Sequence, residues 1–406
     1  MADADDLQFA DLEPVGPGTP AGRYLRRFWQ PVYRLKDLPR ATAKPIEIMG
    51  EKFTLYRGED GTQHLVGFRC AHRGAQLSLG WVEGDTIRCR YHGWRFDCVG
   101  QCVEQPNEDK PFAQRVKIPS YPVHEYLGLI FAYLGEGEAP AFREYPDFKL
   151  PGVIVTDPPE IIPCSFWNRL DNDLAHIAWV HRATAIRKGR NDYIRPRSEV
   201  LEETPYGWMS ARSVKGDAAE FRALSRTNHW FMPNTSQFWH RNRAPGFEQR
   251  DLWDTKITWT VPINDSTFIA FDVTNTPLYG EEGKAFAASR TEAQESEAET
   301  RWDIAEKVLA GEMTIEELPD ELSAYTSFAI EDYVTQVGQG PVATRNREHL
   351  ARTDSKPIMN RRLWLREIRA MLNGEPMTEW QLPEQPLSSH PDYGPVLGSV
   401  DPRAAE

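Results

Sequence analysis

Only five cysteines and ten histidines occur in the 406 residues, yet two of each crowd into the stretch from Cys70 to His92. They form two pairs, Cys70-x-His72 and Cys89-x-x-His92, with sixteen residues between them. Thiolate and neutral imidazole are metal donors, and two of each satisfy a tetrahedral zinc ion. Three features argue against zinc. The first pair is one residue apart, where zinc sites space their ligands by about two to four. Both pairs are mixed, and in the same order. Gly74 and Gly93 follow close behind, as tight loops around an inorganic cluster require.

A [2Fe–2S] centre of the Rieske type fits better. There one iron keeps two cysteines and the other takes two histidines, so each pair gives one ligand to each iron. Cys70, His72, Cys89 and His92 fill those roles without a spare; Cys98, Cys102 and Cys164 are expected to be small buried residues. A second constellation lies in "DNDLAHIAWVH", where Asp173 precedes His176 by three and His181 follows by five. A non-haem ferrous site wants two histidines and a carboxylate, with positions left open. Residues five apart sit about 140° around a helix, so the helix must bulge or end between the two histidines to share a metal. On these residues alone, packing in a Trp- and Val-containing helix explains them as well.

The words "CAHRGAQLSLG", "RCRYHGWRFDCVGQCVEQP" and "GPGTPAGRYLRRFWQPV" resemble the Rieske non-haem iron oxygenases, in their phthalate-dioxygenase-like branch. The likeness runs from about Gly16 to Asn373 and is thin between Tyr206 and Leu322, where substrate contacts are expected. It implies that His176 and His181 bind a mononuclear Fe(II). It implies Asp332 as the third ligand, because Asp332, Gln336, Gly340 and Pro341 fill the pattern D-x3-Q-x3-G-P, which "REHL" and "NRRLWL" continue. Glu331 is the nearest competitor and is expected to point elsewhere. Asp173 is implied as an electron-transfer bridge between a mononuclear-iron histidine and a cluster histidine of a neighbouring subunit, hence a homotrimer. The implied activity is that of a terminal oxygenase using O2 and electrons from an NAD(P)H-dependent reductase, with or without a ferredoxin. O-demethylation of a methoxylated, carboxylated lignin-derived aromatic is the favoured reaction. The alternative is cis-dihydroxylation of an aromatic carboxylate such as phthalate. A Rieske electron carrier without oxygenase activity is the reading from another class, and it leaves everything beyond about residue 145 unexplained.

The elements that position these residues change character along the chain. Thr19 and Pro20 open a short helix within Thr19–Tyr33. Short alternating strands follow, with a hairpin turn at Gly58-Glu59-Asp60-Gly61. After the Gly-, Pro- and charge-rich stretch 135–147, helices and longer strands alternate. The expected fold is α+β: an N-terminal segment with a leading helix (1–34), an all-β Rieske domain (35–142), and an α+β catalytic domain with an antiparallel sheet and iron-binding helices (143–406). A substrate carboxylate calls for an arginine fork. The region holding Arg222, Arg226, Arg241, Arg243 and Arg250 supplies candidates, and Trp230, Phe231, Phe238 and Trp239 either wall a pocket or form core.

A net charge of −13 disfavours nucleic acid and anionic membranes as partners. No 18-residue apolar run suggests a membrane span, and the N-terminus has no basic and apolar signal pattern. An odd, small number of cysteines argues against a disulfide framework, so a reducing cytoplasm is the expected compartment. No G-x-G-x-x-G follows a strand, so electrons come from another protein.

Overall fold

The computed structural model describes residues 6–172, 177–187, 198–213, 226–242 and 252–387. Thr19 caps the first helix, Pro20–Leu25, by accepting the Gly22 N–H, with Pro20 at the first turn where its missing donor costs nothing. The helix is shorter than its sequence suggests. At Trp29 the chain becomes a strand, Trp29–Arg34, which among the described residues pairs only with Leu129–Tyr133. That edge position tolerates Pro31.

The chain divides into two units, one of residues 14–142 with 261–265, the other of the remainder. Apart from the helix Pro20–Leu25 and short single turns, the first unit is antiparallel β, in three small sheets. One holds Trp29–Arg34, Leu129–Tyr133 and Val123–Tyr126. The second holds Thr42–Ile48, Glu51–Arg57, Gln63–Gly67 and Ser120–Tyr121, and the third Trp81–Glu83, Thr86–Arg88, Arg95–Phe96 and Cys102–Glu104. The expected hairpin closes between Arg57 and Gln63, where the Asp60 side chain accepts the Thr62 N–H. The core of this unit gathers Tyr56, Val66, Leu77, Ile87, Trp94, Phe96 and Ile118 around Cys70, Cys89 and Cys102. Burial of these aromatic and aliphatic groups is the main stabilising term, and it carries the two loop cysteines with it.

The second unit is built on an eight-stranded antiparallel sheet. The two longest strands of that sheet, Trp253–Asn264 and Thr267–Thr276, flank the turn at Asp265; both are mostly buried, and 261–265 count with the first unit. Helices Gly280–Leu309, Ala324–Gly338 and Ser355–Asn373 complete the unit. The first of these is mainly solvated, but it turns Phe286, Arg301 and Ala305 inward. Trp167 and Trp364 pack edge to face at 4.9 Å, fully buried, and their indole N–H groups donate to the Leu12 and Pro233 carbonyls. Among the described residues, no helix is long and apolar enough to cross a membrane.

Candidate active site

Two loops of the β unit repeat one geometry. In each, a cysteine N–H donates across the loop, Cys70 to the Ala75 carbonyl and Cys89 to that of Trp94, both at 2.8 Å. In each, a glycine N–H returns to the cysteine carbonyl: Gly74 at 2.9 Å and Gly93 at 3.0 Å. Both glycines have φ near +75°, in the left-handed region. A Cβ on Gly93 would also come within 2.9 Å of Pro106. Gly93→Ala should therefore lower stability by about 1–2 kcal/mol from the backbone alone. The readout is a lower melting temperature together with reduced acid-labile sulfide.

The four donors sort by type. Cys70 and Cys89 are buried, with their thiols in hydrogen-bond contact. The His72 and His92 rings meet edge to face at 4.5 Å, and His72 stacks flat on Trp94 at the same distance. Burial, reinforced by Cys89, pushes the Cys70 thiol up to about 12. Without a cation beside it, this sulfur keeps its proton. The buried Nδ1 of His72 lacks a hydrogen-bond partner. Among the described residues, no three of these four donors lie mutually within 4.8 Å. A single tetrahedral zinc would need separations of about 3.3–3.8 Å. Thiols together on one side and imidazoles together on the other suit two irons. Of the remaining cysteines, Cys102 and Cys164 are buried as expected, whereas Cys98 is half-buried with its thiol against Asp85.

The second site builds on the helix Ala324–Gly338. Asn168, fully buried on the short helix Phe166–Leu170, donates to the carbonyls of Gln336 (2.8 Å) and Gly340 (3.0 Å). Asp171 takes Arg345 at 2.9 Å and also binds Arg361, which in turn binds Glu348. The G-P, "REHL" and "NRRLWL" motifs thus serve to clamp the segment leading into the histidines. Asp173 and His176 lie outside the described residues, so the D-x-x-H part of the motif is not placed. The helical run after them breaks at His181, between Ile177–Val180 and Arg182–Arg187. Such a break is what the five-residue spacing requires.

His181 is buried, and its Nδ1 lies 2.8 Å from Glu331 Oε2. Glu331 is 0% exposed, and its other oxygen accepts the Thr184 N–H at 2.9 Å. A carboxylate only accepts, so the proton sits on Nδ1, and in the neutral ring Nε2 keeps a bare lone pair. That lone pair faces Asp332 Oδ1 at 3.7 Å, and Oδ1 is buried without a hydrogen-bond partner. The separation is too long for a hydrogen bond and suits two donors sharing one ion at about 2 Å from each. The sequence reading named Glu331 only as a competitor for the place of Asp332 and gave it no role of its own; it holds the Nδ1 side of the His181 imidazole. The signal was its place one residue before Asp332, about 100° around the same helix.

Asp332 also lines a pocket of about 540 Å³, counting its mouth. Its walls include Phe268, Trp302, Phe328 and Tyr333, and Phe328 packs on the His181 ring at 4.6 Å. The cations in it are Arg169 and Lys256, neither named by the sequence reading. Arg222, Arg243 and Arg250 lie outside the described residues, as do the side chains of Arg226 and Arg241. Trp230, Phe231 and Trp239 are core, with Trp230 stacked on Trp208; Phe238 is half-buried, and none of the four lines this pocket.

Residues 28–122 match the family model of the Rieske [2Fe-2S] domain. The chain is 28% identical over 376 residues to the 5,5'-dehydrodivanillate O-demethylase oxygenase subunit of Sphingobium sp., covering 90% of this chain and 80% of that protein. It is 29% identical to the phenoxybenzoate dioxygenase subunit alpha of Ectopseudomonas oleovorans, covering 89% and 85%. The solved structure of Pseudomonas putida CBB5 NdmA superimposes with a TM-score of 0.63 at 19% identity, covering 88% and 94%, which establishes a shared fold. The chain thus carries a Rieske [2Fe-2S] domain and is homologous along most of its length to oxygenase subunits.

Proposed function

We propose that this chain is a terminal oxygenase component that uses O2 and externally supplied electrons to O-demethylate a methoxylated aromatic carboxylate. The observation that carries the reading is the bare Nε2 of His181 facing an unpartnered Asp332 oxygen at the wall of an aromatic-lined pocket. In this reading Cys70 and Cys89 hold one iron of a [2Fe–2S] cluster, and His72 and His92 hold the other. His176, His181 and Asp332 hold a mononuclear ferrous ion. When bound, the cluster supplies single electrons and the ferrous ion the dioxygen chemistry.

The chain's own residues do the rest. Glu331 fixes the His181 tautomer and aims Nε2 at the metal position. Phe328 keeps that imidazole in apolar surroundings, and Phe268 and Tyr333 hold a flat substrate beside it. Asp173 bridges His176 to a cluster histidine of the neighbouring subunit in a homotrimer. His72 and His92 are only half-buried, as partners in such a crossing must be. An NAD(P)H-dependent reductase, alone or through a ferredoxin, supplies the electrons in the cytoplasm, where the thiols stay reduced.

Similarity to an O-demethylase subunit supports the demethylation reading. The relative that acts on phenoxybenzoate as a dioxygenase favours a second reading, cis-dihydroxylation of an aromatic carboxylate. The test is product analysis with a panel of methoxylated and unmethoxylated aromatic acids and a surrogate reductase. Formaldehyde released in equal amount with a phenol supports demethylation; a cis-diol replaces it with the second reading. Asp173→Ala should keep the iron and sulfide of both centres and lose at least about 10–100-fold in turnover. An active Asp173→Ala removes the bridge.

A further inference from the structure

The pocket beside Asp332 contains more charge than an apolar substrate needs. Two of its ion pairs close on themselves. Lys256 Nζ meets Asp272 Oδ2 at 2.5 Å, with both side chains largely buried. Arg301 Nη2 meets Glu160 Oε1 at 2.9 Å, also largely buried. Each pair is neutral as a whole.

Arg169 differs. It lines the same pocket, is half-buried, and has no ion pair within 4.0 Å among the described residues. The charges acting on it are, in order, Asp332, Asp272 and Glu160. The last two are already spoken for by Lys256 and Arg301. That leaves Asp332, and in the oxygenase reading Asp332 is a metal ligand. A divalent ion with two neutral imidazoles and one carboxylate carries a net +1. The bound ion therefore removes the one counter-charge facing Arg169 that is uncommitted among the described residues, and adds a positive charge of its own. A guanidinium half withdrawn from water without an ion pair is costly, and a planar carboxylate is the group that satisfies its fork.

Arg169 is also held in place. Its neighbour Asn168 is bonded to Gln336, on the helix that carries Asp332, and to Gly340 just beyond that helix. The backbone that carries Arg169, the aromatic walls and Asp332 thus sit on connected elements, as a site that orients one end of a substrate requires.

We propose that Arg169 anchors the carboxylate of an anionic aromatic substrate, setting the distance between that carboxylate and the substrate atom presented at Asp332. This rests on the oxygenase reading for its metal, but its test is a binding measurement. The holoenzyme, unreduced, is titrated by calorimetry with 3- and 4-methoxybenzoate and with the matching methoxybenzamides. The wild-type chain should prefer at least one acid over its amide. Arg169→Gln should weaken that acid about 10- to 100-fold and leave the amide unchanged. Arg169→Lys should recover part of the loss, because it keeps the charge without the fork. Cluster absorbance and melting temperature report that each variant is folded. Should Arg169→Gln not fold, the acid-against-amide preference of Arg169→Lys decides alone: an undiminished preference overturns the anchor. Equal loss of acid and amide, or no loss of either, overturns it too. Absence of acid preference in the wild type does the same. Arg169-dependent acid binding with no oxidation of any bound acid would leave the anchor standing and defeat the oxygenase reading. Turnover of acids with an unchanged KM in Arg169→Gln would do the reverse.

Discussion

Asp332→Ala should leave the cluster intact and empty the mononuclear site. Iron should fall from about three to about two atoms per chain, with acid-labile sulfide unchanged at about two. Turnover should fall at least about 10³-fold, because loss of an outer partner of a metal ligand alone already costs about 10–100-fold. The reason lies in the geometry. Oδ1 of Asp332 is buried without a hydrogen-bond partner, and the bare Nε2 of His181 faces it at 3.7 Å. A buried carboxylate oxygen left unsatisfied is costly, and an ion between these two atoms removes the cost. Alanine removes a ligand but leaves the fold's ties untouched, since the clamp from Asn168 reaches the backbone carbonyls of Gln336 and Gly340 and not the Asp332 side chain. Iron and sulfide analysis with oxygen-consumption rates checks this. A variant that retains three irons and turns over would displace Asp332 from the ligand set.

Glu331→Gln should produce the second-largest effect, on metal affinity. The Glu331 carboxylate accepts from both His181 Nδ1 and the Thr184 N–H. Glutamine keeps the shape but replaces one acceptor with a donor. Whichever way the amide turns, one buried N–H meets another. Turned against His181, it favours the tautomer with the proton on Nε2, the atom the metal needs bare. Affinity at the mononuclear site should weaken about 10–100-fold. Stability should fall by about 1–3 kcal/mol from the unsatisfied donor. Competitive Fe(II) titration of the metal-depleted site and thermal melts read the two separately. Unchanged affinity with a lowered melting temperature would reduce Glu331 to a structural tie.

What could be read from the sequence was what local spacing encodes. The two Cys–His pairs need only their loops, and Gly74 and Gly93 mark those loops because each requires a positive φ. Thr19-Pro20 fixes a helix start for equally local reasons. The strand at Trp29 was not legible. Its pairing partner, Leu129–Tyr133, lies about a hundred residues away, and a tertiary pairing overrode a local helical pattern. The same limit explains the site. Asp332 could be placed by a motif, but Glu331 and Arg169 gain their meaning from contacts across long stretches of chain: Glu331 through His181 and Thr184, Arg169 through the charged strands of the sheet. The arginine-rich region that looked suited to a carboxylate has no described side chain in the pocket, whereas a lone arginine inside "FWNRLDND" lines it.

The most direct test of the two-centre oxygenase is a single turnover without a reductase. The protein is reduced anaerobically, freed of reductant, given the methoxylated aromatic acids and then opened to oxygen. The account predicts that cluster absorbance recovers and that a phenol and formaldehyde form in proportion to the electrons lost, with neither event in Asp332→Ala. A cluster that reoxidises at the same rate with or without substrate, and yields no product, would make this chain an electron carrier and contradict the account.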